Sequence, residues 1–305
     1  MGECVDGQGG ADVAARDFGL KGPRGWAFRG VSADAEPGSL IAVEGPSGSG
    51  RTCLLLALTG RMRPTEGRAA VGGHELPGRM AAVRRISALA HVTGVTDLDP
   101  ALTVGEHLHE RALLQRRFGD TLSALLRPRG ERAAREKLRV DTALASAGLD
   151  PETLPKGTRT AVRDLERVEA LRLSIALALL GGPRLLGVDD TDLKLSSAER
   201  EEVWGLLRSL AASGTTVVAV CSEAPDDAVR VRTGAAPREA SEQADPGDAA
   251  EDPDTAQDRG EQDDPPGDPS DRHPDDRRDD RRDARDPHHD TKEAAVDALA
   301  ETGRS

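Results

Sequence analysis

The sequence predicts an α/β fold on three observations. Apolar strand runs alternate with helical patterns, a glycine cluster separates one strand from the helix after it, and a second apolar run ends in paired acids. The first run is Leu40-Ile41-Ala42-Val43. It leads into Gly45-Pro46-Ser47-Gly48-Ser49-Gly50-Arg51-Thr52, and the segment Thr52 to Leu58, rich in helix formers and closed by Gly60, reads as a helix. The second run, Leu185-Leu186-Gly187-Val188, follows a Gly181-Gly182-Pro183 break and ends in Asp189-Asp190. An unbroken apolar run of this length fits a strand buried on both faces, and acids at a strand's carboxyl end are well placed for chemistry.

The remaining elements follow in chain order. Pro64-Thr65-Glu66-Gly67 reads as a turn, and Ala69 to Val71 with Gly72-Gly73 as a strand and hairpin. Residues 104–118 and 131–148 have helical spacing and are separated by Arg127-Pro128-Arg129-Gly130, so about 98–170 is expected to be a helical insert. Leu171 to Leu180 is a long apolar helix. Ser196-Ser197-Ala198-Glu199 fits a capping box opening a helix with Val203, Leu206, Leu207 and Leu210 on one face, and Gly214 precedes a strand from Thr215 to Val220.

Charge divides the 305 residues unevenly. From Gly234 to the end there are 23 acidic and 10 basic residues, a net of −13 that equals the charge of the whole chain, so residues 1–233 are near neutral. The expected organisation is one folded domain over 12–230 and a disordered Asp/Arg/Pro-rich tail over 234–305. Its alternating Asp and Arg pairs from Asp275 to Asp286, and its His288-His289, read as solvated. A near-neutral folded part lacks the basic field that draws a protein onto nucleic acid, and the acidic tail is repelled by phosphate, which argues against nucleic acid as a partner. Cys4, Cys53 and Cys221 are far apart and follow no metal-ligand spacing, as expected of idle thiols in a reducing compartment. The chain shows no basic start followed by an apolar stretch and no apolar run of membrane-spanning length. A cytoplasmic location is expected, at the inner face of a membrane only through a partner.

The glycine cluster meets the pattern G-x-x-x-x-G-K-[ST] at every position but one. Glycines let successive main-chain N–H groups turn inward around phosphates, and the positive end of the following helix adds to the attraction. The expected ligand is therefore a nucleoside triphosphate, held by Gly45, Pro46, Ser47, Gly48, Ser49, Gly50, Arg51 and Thr52. Thr52 offers its hydroxyl to Mg²⁺ and Asp189 is its natural acidic partner. Arg51 is the exception to the pattern. A guanidinium is larger and planar, so it pairs with phosphate oxygens but does not sit where a lysine ammonium sits.

With the loop, the insert and the Asp189 strand in this order, residues 12–230 resemble the nucleotide-binding domain of ATP-binding-cassette (ABC) proteins. The resemblance rests on Arg29-Gly30-Val31-Ser32 with Glu36-Pro37-Gly38, Arg63-Pro64-Thr65-Glu66-Gly67, Leu102-Thr103-Val104 with Glu106-His107-Leu108, and Ala176 to Leu186 running into Asp189. It implies a P-loop NTPase core carrying a helical subdomain, ATP with Mg²⁺ bound between two such domains as a homo- or heterodimer, and a membrane-spanning transporter subunit as partner. It also makes Trp26 the candidate to stack on adenine.

Departures from the family pattern fall where the family does its chemistry. The signature Leu-Ser-Gly-Gly-Gln reads Leu165-Glu166-Arg167-Val168-Glu169. His91 is the nearest counterpart of the water- and magnesium-sensing glutamine, and Asp190 that of the general-base glutamate. The switch histidine is replaced by Ser222 or Glu223, and the D-loop aspartate by Ser196. Losses in proton transfer and water orientation compound. The expectation is ATP binding with weak or partner-dependent hydrolysis, in which Asp190 and His91 are the catalytic candidates; a catalytically inactive scaffold or regulatory protein is the alternative. A small-molecule kinase built on the same loop is a third reading, disfavoured by the order of the flanking stretches.

Overall fold

The computed structural model describes residues 9–119 and 129–234, and the account below concerns those residues. The expectations for Cys4, for Arg127-Pro128 and for the tail from residue 235 onward, His288-His289 included, lie outside them.

Nine strands form two sheets. Four of them, β1 (Val13–Gly22), β2 (Gly25–Ala35), β4 (Glu66–Val71) and β5 (His74–Leu76), make an antiparallel sheet in the order β2-β1-β4-β5. The other five are β3 (Leu40–Glu44), β6 (Ser87–Ala90), β7 (Leu185–Val188), β8 (Thr216–Cys221) and β9 (Val229–Arg232). They make a parallel sheet in the order β6-β7-β8-β3-β9. Every residue of β6, β7 and β8 is buried, which is why these strands read as unbroken small and apolar runs. The one hydroxyl that opens β8 is satisfied, since Thr216 Oγ1 donates to the Ala11 carbonyl at 2.7 Å and accepts from the Gly38 N–H at 2.9 Å.

Helix α1 (Arg51–Leu58) follows β3, and α2 (Met80–Ile86) precedes β6. Leu54, Leu55 and Leu58 of α1 share a core with Phe18, Phe28, Ile41 and Val43, so α1 is clamped between the two sheets. Phe18 and Phe28 pack with ring centroids 5.8 Å apart. The insert supplies α3 (Val104–Gly119) and α4 (Arg129–Ser146), then three single 3₁₀ turns. Helices α5 (Arg167–Leu179) and α6 (Ser197–Ala212) complete the other core, with Leu173, Ile175, Val203, Trp204 and Leu207 against β7 and β8. The capping box of α6 is present: Ser196 Oγ accepts from the Glu199 N–H at 3.2 Å, and the Glu199 carboxylate accepts from the Ser196 N–H at 2.7 Å.

Three local readings change. Glu66 and Gly67 open β4 instead of forming a turn. Gly67 has φ +66° and faces Asp17, itself at φ +49°, where the β1–β4 register slips, so the turn-like dipeptide marks a bulge. Arg129 and Gly130 belong to α4, and α5 starts at Arg167, before the apolar stretch that signals it.

Candidate functional site

Parallel strands present their carboxyl ends to one edge, and three of them deliver the predicted residues there. The loop Gly45–Gly50 leaves β3, Asp189-Asp190 leaves β7, and His91 leaves β6, whose Ala90 is the register partner of Val188. The loop's shape is fixed by contacts that only glycine permits. A Cβ on Gly50, at φ +82°, falls 2.0 Å from the Ala27 carbonyl oxygen. A Cβ on Gly45 falls 2.5 Å from Thr233 Oγ1 and 2.6 Å from Ser49 Oγ. Gly48, also left-handed at φ +78°, has open space beside it, and Pro46, Ser47 and Gly48 are exposed. The buried Ser49 hydroxyl is paired with Thr233 Oγ1 at 2.7 Å and so braces the loop against the end of β9.

Helix α1 begins directly after Gly50, with Gly50 as N-cap and no side-chain cap or acid in the first turn. Its free amide donors and the positive end of its dipole point at the loop. Thr52 Oγ1 donates to Asp189 Oδ2 at 2.8 Å, and Asp189 Oδ1 accepts from the Asp190 N–H at 3.1 Å. Asp189 is only 3% exposed, and that burial pushes its carboxyl above the ordinary aspartate range despite the Thr52 bond. A buried acid held beside a hydroxyl at a helix N-terminus is a set of hard oxygen donors suited to Mg²⁺, whose remaining positions phosphates and water fill. The glycine cradle and this pair together fit a magnesium-bound triphosphate.

The loop's single cation points elsewhere. Arg51 donates through its guanidinium to the main-chain carbonyl of Cys221, the last residue of β8. Cys221 itself is buried, and its thiol is pushed up to about 12 by that burial, as expected of an idle thiol.

His91 and Asp190 are both in the left-handed region, at φ +56° and +48°. For residues other than glycine this is a strained conformation that surrounding contacts must hold. Ser174 of α5 does so for His91, accepting its main-chain N–H at 2.7 Å. Ser174 escaped sequence reading because it sits inside an apolar helix. Burial lowers the His91 imidazole's affinity for protons, against the opposing pull of Asp190 and then Asp189.

Trp26 lies on β2, next to the Ala27 that abuts Gly50. The half-buried ring has the Arg29 guanidinium 4.5 Å and the Lys21 ammonium 5.6 Å from its centroid. Glu166 is the N-cap of α5, and its N–H donates to the Glu169 carboxylate at 2.8 Å. The segment at the signature position thus opens a helix whose first turn is closed by the chain's own acid. Ser222 and Glu223 follow β8, and the Ser222 N–H is taken by Asp192 at 2.6 Å.

Residues 28–192 match the family model described as ABC transporter. The chain belongs to the ABC transporter family. Among similar proteins, the ABC transporter ATP-binding/permease protein Rv1747 of Mycobacterium tuberculosis is 31% identical over 212 residues, covering 70% of this chain and 22% of that protein. The energy-coupling factor transporter ATP-binding protein EcfA2 of Symbiobacterium thermophilum is 32% identical, covering 67% of this chain and 66% of that one. The chain therefore spans under a quarter of the first relative and about two thirds of the second. Its fold is that of the ATP-binding cassette MJ0796, solved as a dimer bound to ADP and Pi, with a TM-score of 0.53 at 22% identity over 69% of this chain and 88% of that one. Among the described residues, no helix is long and apolar enough to cross a membrane.

Proposed function

We propose that this family member binds Mg-ATP through Gly45–Thr52 and Asp189 and acts as an ATP-binding subunit, coupling the nucleotide to a separate membrane-spanning transporter partner at the cytoplasmic face. The observation that carries the reading is the 2.8 Å bond from Thr52 Oγ1 to Asp189 Oδ2, which joins the loop's hydroxyl to the acid at the end of β7. The two groups that must share a magnesium ion are already together. Trp26, beside the Ala27 that supports Gly50, is the proposed adenine platform.

Hydrolysis is proposed to be weak or to depend on a paired cassette, as homo- or heterodimer. Asp190 carries a carboxylate one methylene shorter than glutamate, and His91 carries an imidazole in place of an amide, so an attacking water is held by groups of different reach. Misplacement of about 1 Å costs on the order of 100-fold in such steps. The α5 N-terminus adds to this reading, because its N-cap is Glu166 and its first turn holds Glu169, which sets two carboxylates where a helix end would otherwise attract phosphate.

The bond from Arg51 to the Cys221 carbonyl favours a second reading, a scaffold or regulatory protein that keeps the cassette fold without turnover. Calorimetry of Mg-ATP binding to the full chain, run with a phosphate-release assay, separates them. Binding with slow release supports the first reading. Binding without release on addition of any paired cassette supports a regulatory nucleotide site, and absence of binding leaves the scaffold.

A further inference from the structure

We infer that a cavity between α6 and β9 binds a zwitterionic solute of the amino-acid or short-peptide type, with the carboxylate on Arg200 and the ammonium on Glu223. The site is separate from the nucleotide loop, and its occupancy does not require nucleotide.

The cavity begins in the topology. Strands β8 and β9 both run parallel to β3 and lie on either side of it, yet only residues 222–228 connect them. A parallel crossover ordinarily takes a dozen or more residues and carries a helix. Here the connection is a strap tied at two points. The Ala224 N–H donates to Glu44 Oε2 at 3.1 Å, and Arg208 of α6 donates to the Asp227 carboxylate at 2.7 Å. The short strap leaves an open cavity of about 640 Å³ against α6 and β9, a size that suits a small molecule.

The charges of its lining are almost all spent on one another. Arg232 pairs with Glu44 at 2.6 Å, and Arg230 pairs with Asp226. Glu201 is held by Arg208 at 2.8 Å, and Asp192 accepts the Ser222 N–H at 2.6 Å. What remains is one charge of each sign, Arg200 on α6 and Glu223 on the strap. Among the described residues neither side chain has a hydrogen bond or an ion pair, so the two line one cavity without reaching each other. A solute that carries both signs spans that gap and gains a charged partner at each end. A simple anion is disfavoured, because five acids line the cavity against three arginines.

The Arg200 end has the donors that a carboxylate needs. Ser197, Arg200 and Trp204 line the cavity at spacings of three and four along α6, which places a hydroxyl, a guanidinium and an indole on one helix face. Trp204 is only 6% exposed, and its indole N–H, a group that buried tryptophans usually pair, has no partner among the described residues. A carboxylate here takes a charge-assisted bond from Arg200, with the indole N–H and the Ser197 hydroxyl as further donors.

The test uses the full chain and three probes, L-alanine, dialanine and trialanine, which lengthen the distance between ammonium and carboxylate in steps. Calorimetry should show binding of at least one. The N-acetyl and C-amide forms of that probe should each bind roughly tenfold more weakly or worse, as loss of a charged hydrogen bond implies. Arg200→Gln should erase the discrimination against the amide form, and Glu223→Gln the discrimination against the acetyl form, each in a chain that still melts cooperatively. No binding of any probe by the natural chain overturns the inference. Equal binding of the blocked and unblocked forms also overturns it, marking an adventitious additive only. If a variant fails to fold, the blocked probes on the natural chain decide the question.

Discussion

The Arg51 guanidinium is bonded to the main-chain carbonyl of Cys221, so the one cation of the glycine loop is anchored to the end of β8. A nucleotide that recruits Arg51 must first break this bond, and a charged donor to a partly buried carbonyl is worth about 1.5–3 kcal/mol. Arg51→Lys exchanges the fork for a compact ammonium that fits the phosphate position without that anchor. The expected result is Mg-ATP binding about tenfold tighter by calorimetry, a gain of ~1.4 kcal/mol. The nucleotide-free variant should melt several degrees lower, as loss of about 1.5–3 kcal/mol implies. Weaker binding by Arg51→Lys means instead that the natural guanidinium holds phosphate itself.

Asp189 is the next test, because burial raises its pKa and the sign of the effect can be worked through. A folded-state pKa above the unfolded one means the acid favours folding at low pH, where it is protonated, and that this contribution is lost as pH rises through the raised value. Burial thus disfavours the ionised form of Asp189, and a cation bound beside it offsets that cost. Asp189→Asn should leave the melting temperature of the free protein unchanged or higher at pH 7, while Mg-ATP affinity falls by roughly 100-fold or more, as loss of a buried cation's acidic ligand implies. A variant that loses stability and keeps its affinity assigns Asp189 a structural role only.

Much of the site could be read in the sequence because it is local. The strand Leu40–Val43, the glycine spacing and the apolar run into Asp189 each signal themselves over fewer than ten residues, and all lie where expected. Of the antiparallel sheet only the β4–β5 hairpin announced itself, through Ala69 to Val71 with Gly72-Gly73. The long partners β1 and β2 carry several register slips, which break the two-residue alternation, and nothing local says that Val13 pairs with both Ala35 and Val71. The supports of the site were hidden for the same reason. Cys221, Ser174, Thr233 and Ala27 act through a carbonyl or a single hydroxyl contributed from 23 to 184 positions away, and main-chain acceptors leave no mark on composition.

Two glycines of the loop separate folding from binding. At Gly50 an added Cβ meets the Ala27 carbonyl at 2.0 Å in a left-handed conformation, so Gly50→Ala should destabilise the fold by more than ~3 kcal/mol and yield little soluble protein. Gly48 is equally left-handed but opens onto free space, so Gly48→Ala should cost only about 1–2 kcal/mol. Its added methyl projects at the exposed tip of the loop, and the expected signature is weakened Mg-ATP binding in a protein that still melts cooperatively. Chemical denaturation and calorimetry on the pair check this, and equal stability losses contradict it.

Glu44 offers a pH test at the base of the same loop. Its carboxylate accepts from Arg232 at 2.6 Å and from the Ala224 N–H at 3.1 Å, and the Arg232 bond foremost holds its pKa below the ordinary glutamate range. A lowered folded-state pKa means the stabilisation is complete above the unfolded value and is lost as pH falls through the lowered one. Glu44→Gln should therefore unfold with a flatter pH dependence as pH falls below the ordinary glutamate value of 4.5, and the difference from the natural chain should shrink in high salt. Parallel curves for the two proteins would show that the carboxylate contributes nothing by its charge.

The α5 N-terminus gives the most direct handle on turnover. Glu166 sits at the N-cap, and Glu169 closes the first turn by accepting the Glu166 N–H. Glu166→Ser replaces a charged cap with a residue preferred there and leaves the Glu169 bond, which uses only the main chain of residue 166. Stability should therefore hold within about 0.5 kcal/mol or improve. Removing one carboxylate restores part of the helix end's attraction for anions, a term of about 0.3–1 kcal/mol, more where water is excluded. If this helix end faces the nucleotide of a paired cassette, phosphate release by the pair should rise several-fold while Mg-ATP binding to the isolated chain stays unchanged. Unaltered release in a folded, nucleotide-binding pair means that Glu166 is only a cap, and leaves the proposed slow hydrolysis resting on Asp190 and His91 alone.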